Sequence, residues 1–153
     1  MQDHHKKKQS SRSYQSLPWK AILEDVKKKQ LTTTVLDLRS EKEFSQGHIT
    51  GAKNLPLLSN EERHEVGLTY KQKGKQEAIE LGLSLFAKKA SNFLVSIERI
   101  TGKENKNSAI ILYCWRGGMR SNLTALFLSS LGYQKIYLLT DGYKSYRKMV
   151  LDC

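Results

Sequence analysis

The sequence predicts an α/β protein built on an open parallel sheet flanked by helices on both faces. Two observations carry this. The runs Thr33–Arg39, Ala109–Tyr113 and Lys135–Leu139 are aliphatic or β-branched and read as buried strands, and segments of helical period lie between them. Strands that alternate with helices imply parallel pairing, with both faces covered.

The elements follow in order. Residues 1–16 are polar, basic and aperiodic and read as a disordered tail, which leaves 17–153 as one folded domain. Pro18 suits a helix start, and Trp19, Ile22, Leu23 and Val26 have helical spacing. After the strand Thr33–Arg39, Ser40 is an N-cap with Glu43 as its capping-box partner, and Gly47 closes that short helix. Gly51–Pro56 suggests a short strand ended by proline. Ser59-Asn60-Glu61-Glu62 opens a polar helix. A single second helix is expected from about Lys75 to Ile100, with Ala78, Leu81, Leu85, Lys88 and Phe93 on a partly regular face. The loop 102–108, the strand Ala109–Tyr113, a helix from Asn122 to Leu131 closed by Gly132, the strand Lys135–Leu139 and a helix Tyr143–Val150 complete the chain.

Composition narrows the function. The chain has 153 residues, enough for one domain with a real core. It has no apolar run near the roughly 20 residues that cross a membrane and no signal-peptide core, so a cytoplasmic protein without membrane contact is expected. Two cysteines, Cys114 and Cys153, make no disulfide framework. His4 and His5 have no companions at metal-ligand spacing, so no metal is expected. Lys6, Lys7, Lys8 and Arg12 against Asp3 give the first thirteen residues +3, leaving +8 to the rest of a chain of net charge +11. Such an excess suits a polyanionic partner, nucleic acid first, although a lysine-rich surface serving solubility reads the same way.

The most informative stretch is Tyr113-Cys114-Trp115-Arg116-Gly117-Gly118-Met119-Arg120-Ser121. A strand delivers a thiol into a glycine turn, and a helix follows at once. Backbone amides and a helix N-terminus both favour thiolate over thiol, and Arg116 and Arg120 add positive charge. Gly117 and Gly118 permit the close backbone approach that an anion nest needs, and Arg120 is placed to hold an oxyanion through its fork. Trp115 either stacks on a substrate group or packs beside the loop. Asp37 and Arg39, at the C-terminal end of a parallel strand, are expected as a supporting ion pair. Tyr143, Lys144, Tyr146 and Arg147 place basic and aromatic groups on the last helix, either to bind RNA or simply as a solvated amphipathic face.

Asp37-Leu38-Arg39 followed by Glu43-Phe44-Ser45-Gln46-Gly47-His48-Ile49-Thr50-Gly51-Ala52-Lys53-Asn54-Leu55-Pro56 resembles the N-terminal signature of rhodanese-like domains, and the strand–Cys–loop–helix resembles their active-site loop. Tyr113–Ser121, Leu57–Gly67 with Tyr70-Lys71, and Gly142–Arg147 further resemble the tRNA 2-selenouridine synthase family. That resemblance implies a rhodanese-like fold, tRNA as partner, no bound cofactor and selenophosphate as co-substrate. Cys114 would then be the catalytic nucleophile, carrying selenium as a perselenide to carbon 2 of a wobble 2-thiouridine, with residues 115–121 binding the anion. The family also carries a P-loop domain, but no Gly-x-x-x-x-Gly-Lys-Ser/Thr run occurs in this chain. The expectation is therefore a fragment, a truncated product or one half of a split enzyme that works with a P-loop partner in trans. Common rhodanese loops resemble Cys-x4-Arg. The Cys-x5-Arg spacing here also resembles that of phosphatases on the same fold, although the loop offers no Glu or Asp as a general acid. A phosphatase, a sulfurtransferase and an inactive remnant are the competing readings.

Overall fold

A computed structural model describes residues 14–102 and 105–152. The strands β1 (Tyr14–Leu17), β2 (Thr33–Asp37), β3 (Lys53–Asn54), β4 (Ala109–Tyr113) and β5 (Lys135–Leu139) form one sheet in the order β1-β5-β4-β2-β3. Every pairing is parallel, with Asp37 opposite Tyr113 and Leu112 opposite Leu138. Among the described residues seven helices surround the sheet: α1 (Trp19–Lys28), α2 (Glu41–Ser45), α3 (Asn60–Lys73), α4 (Lys75–Ala87), α5 (Ala90–Thr101), α6 (Met119–Ser130) and α7 (Gly142–Leu151).

Alternation along the strands builds two cores, because successive side chains point to opposite faces. Leu36, Ile110, Leu112, Ile136 and Leu138 face Phe86, Phe93, Ile97, Ala125 and Leu128 of α4, α5 and α6. Ala109, Ile111, Tyr113, Tyr137 and Leu139 face Ile22 and Val26 of α1, with Tyr143 and Tyr146 of α7 packed against them. Both faces are covered, as expected. Central β4 is buried along its whole length, so its aliphatic side chains each contribute roughly 1.5–3 kcal/mol of burial.

The expected caps are present. Ser40 with Glu43 and Ser59 with Glu62 both close full capping boxes. Gly132 adopts positive φ just after α6.

Four expectations need correction. Residues 14–16 do not belong to a tail; they pair with β5, where Thr140 N–H donates to Leu17 O and Ser16 Oγ lies 2.8 Å from Thr140 Oγ1. Residues 1–13, with His4 and His5, and Cys153 lie outside the described residues. The single helix 75–100 is two helices, broken at Lys88–Lys89, where Lys89 leaves helical geometry (φ −124°, ψ 12°). The break lets Phe86 and Phe93 meet edge to face at 5.3 Å in one core. The strand in Gly51–Pro56 shrinks to Lys53–Asn54. Helix α6 starts at Met119 and not at Asn122, so Met119, Arg120 and Ser121 are its first turn and not loop.

Candidate active site

The site lies at the carboxyl ends of β2, β4 and β5, where open parallel sheets gather ligands. Cys114 leaves β4 at the mouth of the loop. Its Sγ is 3.3 Å from the hydroxyl of Ser121, which donates in turn to Gly118 O. Ser121 is the third residue of α6, so the sulfur sits against that helix N-terminus. Cys114 is 2% exposed and lines a cavity of about 460 Å³ together with Trp115, Arg116, Gly118, Met119 and Arg120.

The loop is held from outside through its carbonyls. Tyr143 N–H donates to Cys114 O (2.8 Å) and Lys144 N–H to Trp115 O (3.0 Å). Asn122 Nδ2 donates to Gly117 O (3.1 Å) and Gly118 O (2.9 Å). The amides of Trp115, Arg116, Gly117 and Gly118 bond no acceptor among the described residues. With its carbonyls tied back, the loop leaves these successive amides available to an acceptor from outside the chain, an arrangement that suits an anion. Two glycines make this possible. Gly117 (φ +71°) lies against Leu139 O and Asp141 N, and Gly142 (φ +58°) lies so close that a Cβ there would fall 2.4 Å from Cys114 O.

The arginines divide their work. Arg39 and Asp37 form a buried fork, with Nε and Nη2 donating to the carboxylate at 2.7–3.2 Å and Nη2 also reaching Gly47 O at 2.7 Å. The guanidinium lies 4.2 Å from the Tyr143 ring centroid. Burial opposes its charge, but the bonds and charge of Asp37 outweigh that and hold its pKa above the ordinary value. Burial, with Asp37 beside it, pushes the Tyr113 phenol well above its usual range, so it stays neutral and accepts from Ile49 N–H at 3.1 Å. Asp37 and Arg39 thus form a buried ion pair.

Arg120 differs from the expectation. Its fork goes to Glu43, with Nη1 to Oε1 at 2.7 Å and Nη2 to Oε2 at 3.4 Å, and Arg63 Nε adds a contact at 3.0 Å. Burial opposes ionisation of Glu43, yet the bonds from Arg120 prevail and its pKa lies below the usual carboxylate range. Met119 turns its side chain onto α4, against the space above Gly82, and so serves packing more than anion binding. Arg116 and Gly118 are exposed at the cavity rim, and Trp115 is half-buried between two cavities.

On α7 the four candidate RNA-binding residues separate. Tyr146 stands edge to face with Trp19 at 5.5 Å, and Tyr143 stacks with Tyr113 and Tyr146, so both rings serve the core. Lys144 and Arg147 are exposed. Sequence reasoning missed Arg63 and His64 of α3, which line both cavities, and Asn122, which braces the loop. Only the Ser59 cap hinted at their helix; nothing local showed that α3 would cover the thiol.

The rhodanese-like domain family matches residues 20–149. The chain is 40% identical over 121 residues to the tRNA 2-selenouridine synthase of Hydrogenovibrio crunogenus, covering 77% of this chain and 32% of that protein. It is 41% identical over 122 residues to the protein of the same name from Cupriavidus necator, covering 77% and 31%. The chain thus spans about a third of the length of these curated relatives. Among solved structures, the N-terminal domain of a candidate ATP/GTP binding protein from Clostridium difficile 630 superposes with a TM-score of 0.76 at 36% identity, covering 90% of this chain and 99% of that one. A rhodanese-related protein from Thermoplasma volcanium shares the fold at 20% identity and a TM-score of 0.51, covering 89% and 93%. With its parallel sheet, its cysteine loop and this match over most of its length, the chain belongs to the rhodanese-like family.

Proposed function

We propose that this domain is the chalcogen-transfer module of a tRNA 2-selenouridine synthase, with Cys114 as its nucleophile. The observation that carries the reading is the nest of free amides beside a sulfur seated at the start of α6. The names of the relatives point to tRNA as the substrate class, and the acceptor in this reading is a wobble 2-thiouridine. Selenophosphate is the donor: its tetrahedral anion meets the free amides, and its soft selenium suits a thiolate.

In the uptake step the Cys114 thiolate attacks selenium. The S–Se bond forms and the Se–P bond breaks, its electron pair leaving on phosphorus as phosphite, so no outside oxidant enters. The terminal selenium of the perselenide then adds to carbon 2 of the thiouridine. The sulfur of that carbon takes over the bond to Cys114 as selenium stays on carbon, and a thiol reductant clears the resulting persulfide. A P-loop domain, in the same polypeptide or in trans, completes the enzyme.

A phosphatase reading is weaker. The carboxylate nearest Arg120 is Glu43, which its arginines keep ionised and which therefore has no proton to give a leaving alcohol.

Exposure to selenophosphate followed by mass spectrometry tests the proposal. Cys114 is expected to gain one selenium, recognisable by its isotope pattern, and Cys114→Ser to gain none while keeping its fold. Full uptake by Cys114→Ser would sink the reading. Release of phosphate in place of phosphite would mean attack at phosphorus and would refute the perselenide route.

A further inference from the structure

Beside the thiol cavity lies a larger one of about 640 Å³, and nothing in the chemistry of Cys114 uses it. The two share a wall made by Arg63, His64 and Trp115. The second cavity is cationic in a particular way. Its one lining carboxylate, Glu43, is already engaged by Arg120 and Arg63. Its one buried arginine, Arg39, is neutralised by Asp37. Lys42 and Arg147, on α2 and α7, are exposed at its rim, and neither has an acidic partner among the described residues. Arg63 keeps half its side chain exposed (51%) although it touches Glu43. Two free cations on separate elements thus face one cleft, with the half-buried indole of Trp115 between that cleft and the reactive sulfur.

Cations at a rim with an aromatic ring on the wall fit one ligand class well. Single-stranded RNA presents phosphates to cations and base faces to rings, and stacking on an aromatic is worth roughly 1–3 kcal/mol per base. A small free anion would use the charges and leave the indole without a role.

We infer that this second cavity is a nucleotide subsite: Lys42 and Arg147 hold the phosphodiester, and Trp115 stacks the base, of the residue next to the one being modified. The inference rests on RNA being the substrate of the domain. It replaces the whole face of α7 by one residue of that helix, Arg147, acting with α2 and the cysteine loop.

The test uses the full chain and a fluorescent anticodon stem–loop RNA carrying 2-thiouridine at the wobble position. Lys42→Glu with Arg147→Glu is expected to weaken binding at least tenfold. It is also expected to reduce the slope of log affinity against log salt by about 0.7, the value for one single-strand phosphate no longer neutralised. Lys20→Glu with Lys75→Glu makes the same change of net charge in the first turns of α1 and α4, away from both cavities, where acidic side chains are tolerated; it is expected to change affinity less than twofold. Bound RNA is expected to slow alkylation of Cys114 in the wild-type chain. Equal loss in the two double variants, no loss in either, no binding by the wild type, or alkylation indifferent to bound RNA would each overturn the subsite. Selenium uptake by wild-type Cys114 is read separately. If uptake fails while binding still depends on Lys42 and Arg147, the transfer reading falls and the subsite stands.

Discussion

Glu43 and Arg120 stand 77 residues apart in the chain and meet at 2.7 Å beside the cysteine loop. The carboxylate that caps α2 therefore also holds Arg120, an arginine that lines the thiol cavity. An incoming oxyanion must compete with Glu43 for that fork. Glu43→Gln removes the competing charge. It is expected to cost about 1–3 kcal/mol in urea denaturation, because two arginines lose a charged acceptor. It is also expected to raise the rate of Cys114 modification by iodoacetate, an anion, relative to neutral iodoacetamide. An unchanged ratio would show that Arg120 has no access to the loop.

The same pair predicts an acid limb in stability. The folded pKa of Glu43 lies below its unfolded value, so the unfolded state binds more protons across that window. Its stabilisation is therefore fully present above the ordinary glutamate pKa of about 4.3 and is lost as pH falls through the lower folded value. Thermal melts between neutral pH and pH ~3 should show less acid sensitivity for Glu43→Gln than for wild type.

At the alkaline end Tyr137 behaves in the opposite sense. Burial, and the bond it donates to Asp25, push its phenol up to about 12. Stability from this group is complete below the unfolded pKa of about 10 and is lost as pH rises through the folded value. Tyr137→Phe should remove that part of the alkaline loss, and, with the phenols of Tyr113 and Tyr133 raised as well, the folded wild type should show the same phenolate absorbance near the ordinary tyrosine pKa as Tyr137→Phe.

Gly142→Ala tests how the loop is held. A Cβ there would meet Cys114 O at 2.4 Å in a backbone of φ +58°. The expected cost is at least about 2 kcal/mol, with Cys114 alkylated faster as the loop is displaced from α7. A melting temperature equal to wild type would mean that the loop and α7 separate freely.

Asp37 and Arg39 should behave as a buried pair. Arg39→Met leaves Asp37, with no exposed surface, without its partner, and is expected to cost about 3–5 kcal/mol. Asp37→Leu combined with Arg39→Met should cost less than the single change, since no uncompensated charge remains. A double variant less stable than the single one would instead assign the pair's value to the bond to Gly47 O and the stack on Tyr143.

Much of the fold was legible because it rests on short-range preferences. The all-buried run Ala109–Tyr113, the Ser40 and Ser59 caps, and the strand–glycine–helix order around Cys114 each declare themselves within a few residues. The strand Tyr14–Leu17 did not, because only Tyr14 and Leu17 are even half-buried and its order comes from pairing with β5 more than a hundred residues away. The break at Lys88–Lys89 carries no glycine or proline and follows from two phenylalanines seeking one core.

The sequence by itself determined that a cysteine would sit between a buried strand and a helix N-terminus, because backbone sterics and hydrophobic period act locally. Only the tertiary structure decided which charges stay free around it. Arg120 and Arg63 went to Glu43 and Arg39 to Asp37, while Lys42 and Arg147 were left at the rim of a shared cleft. Partners for a charged side chain are chosen by distance in space after folding, and no spacing along the chain encodes that choice.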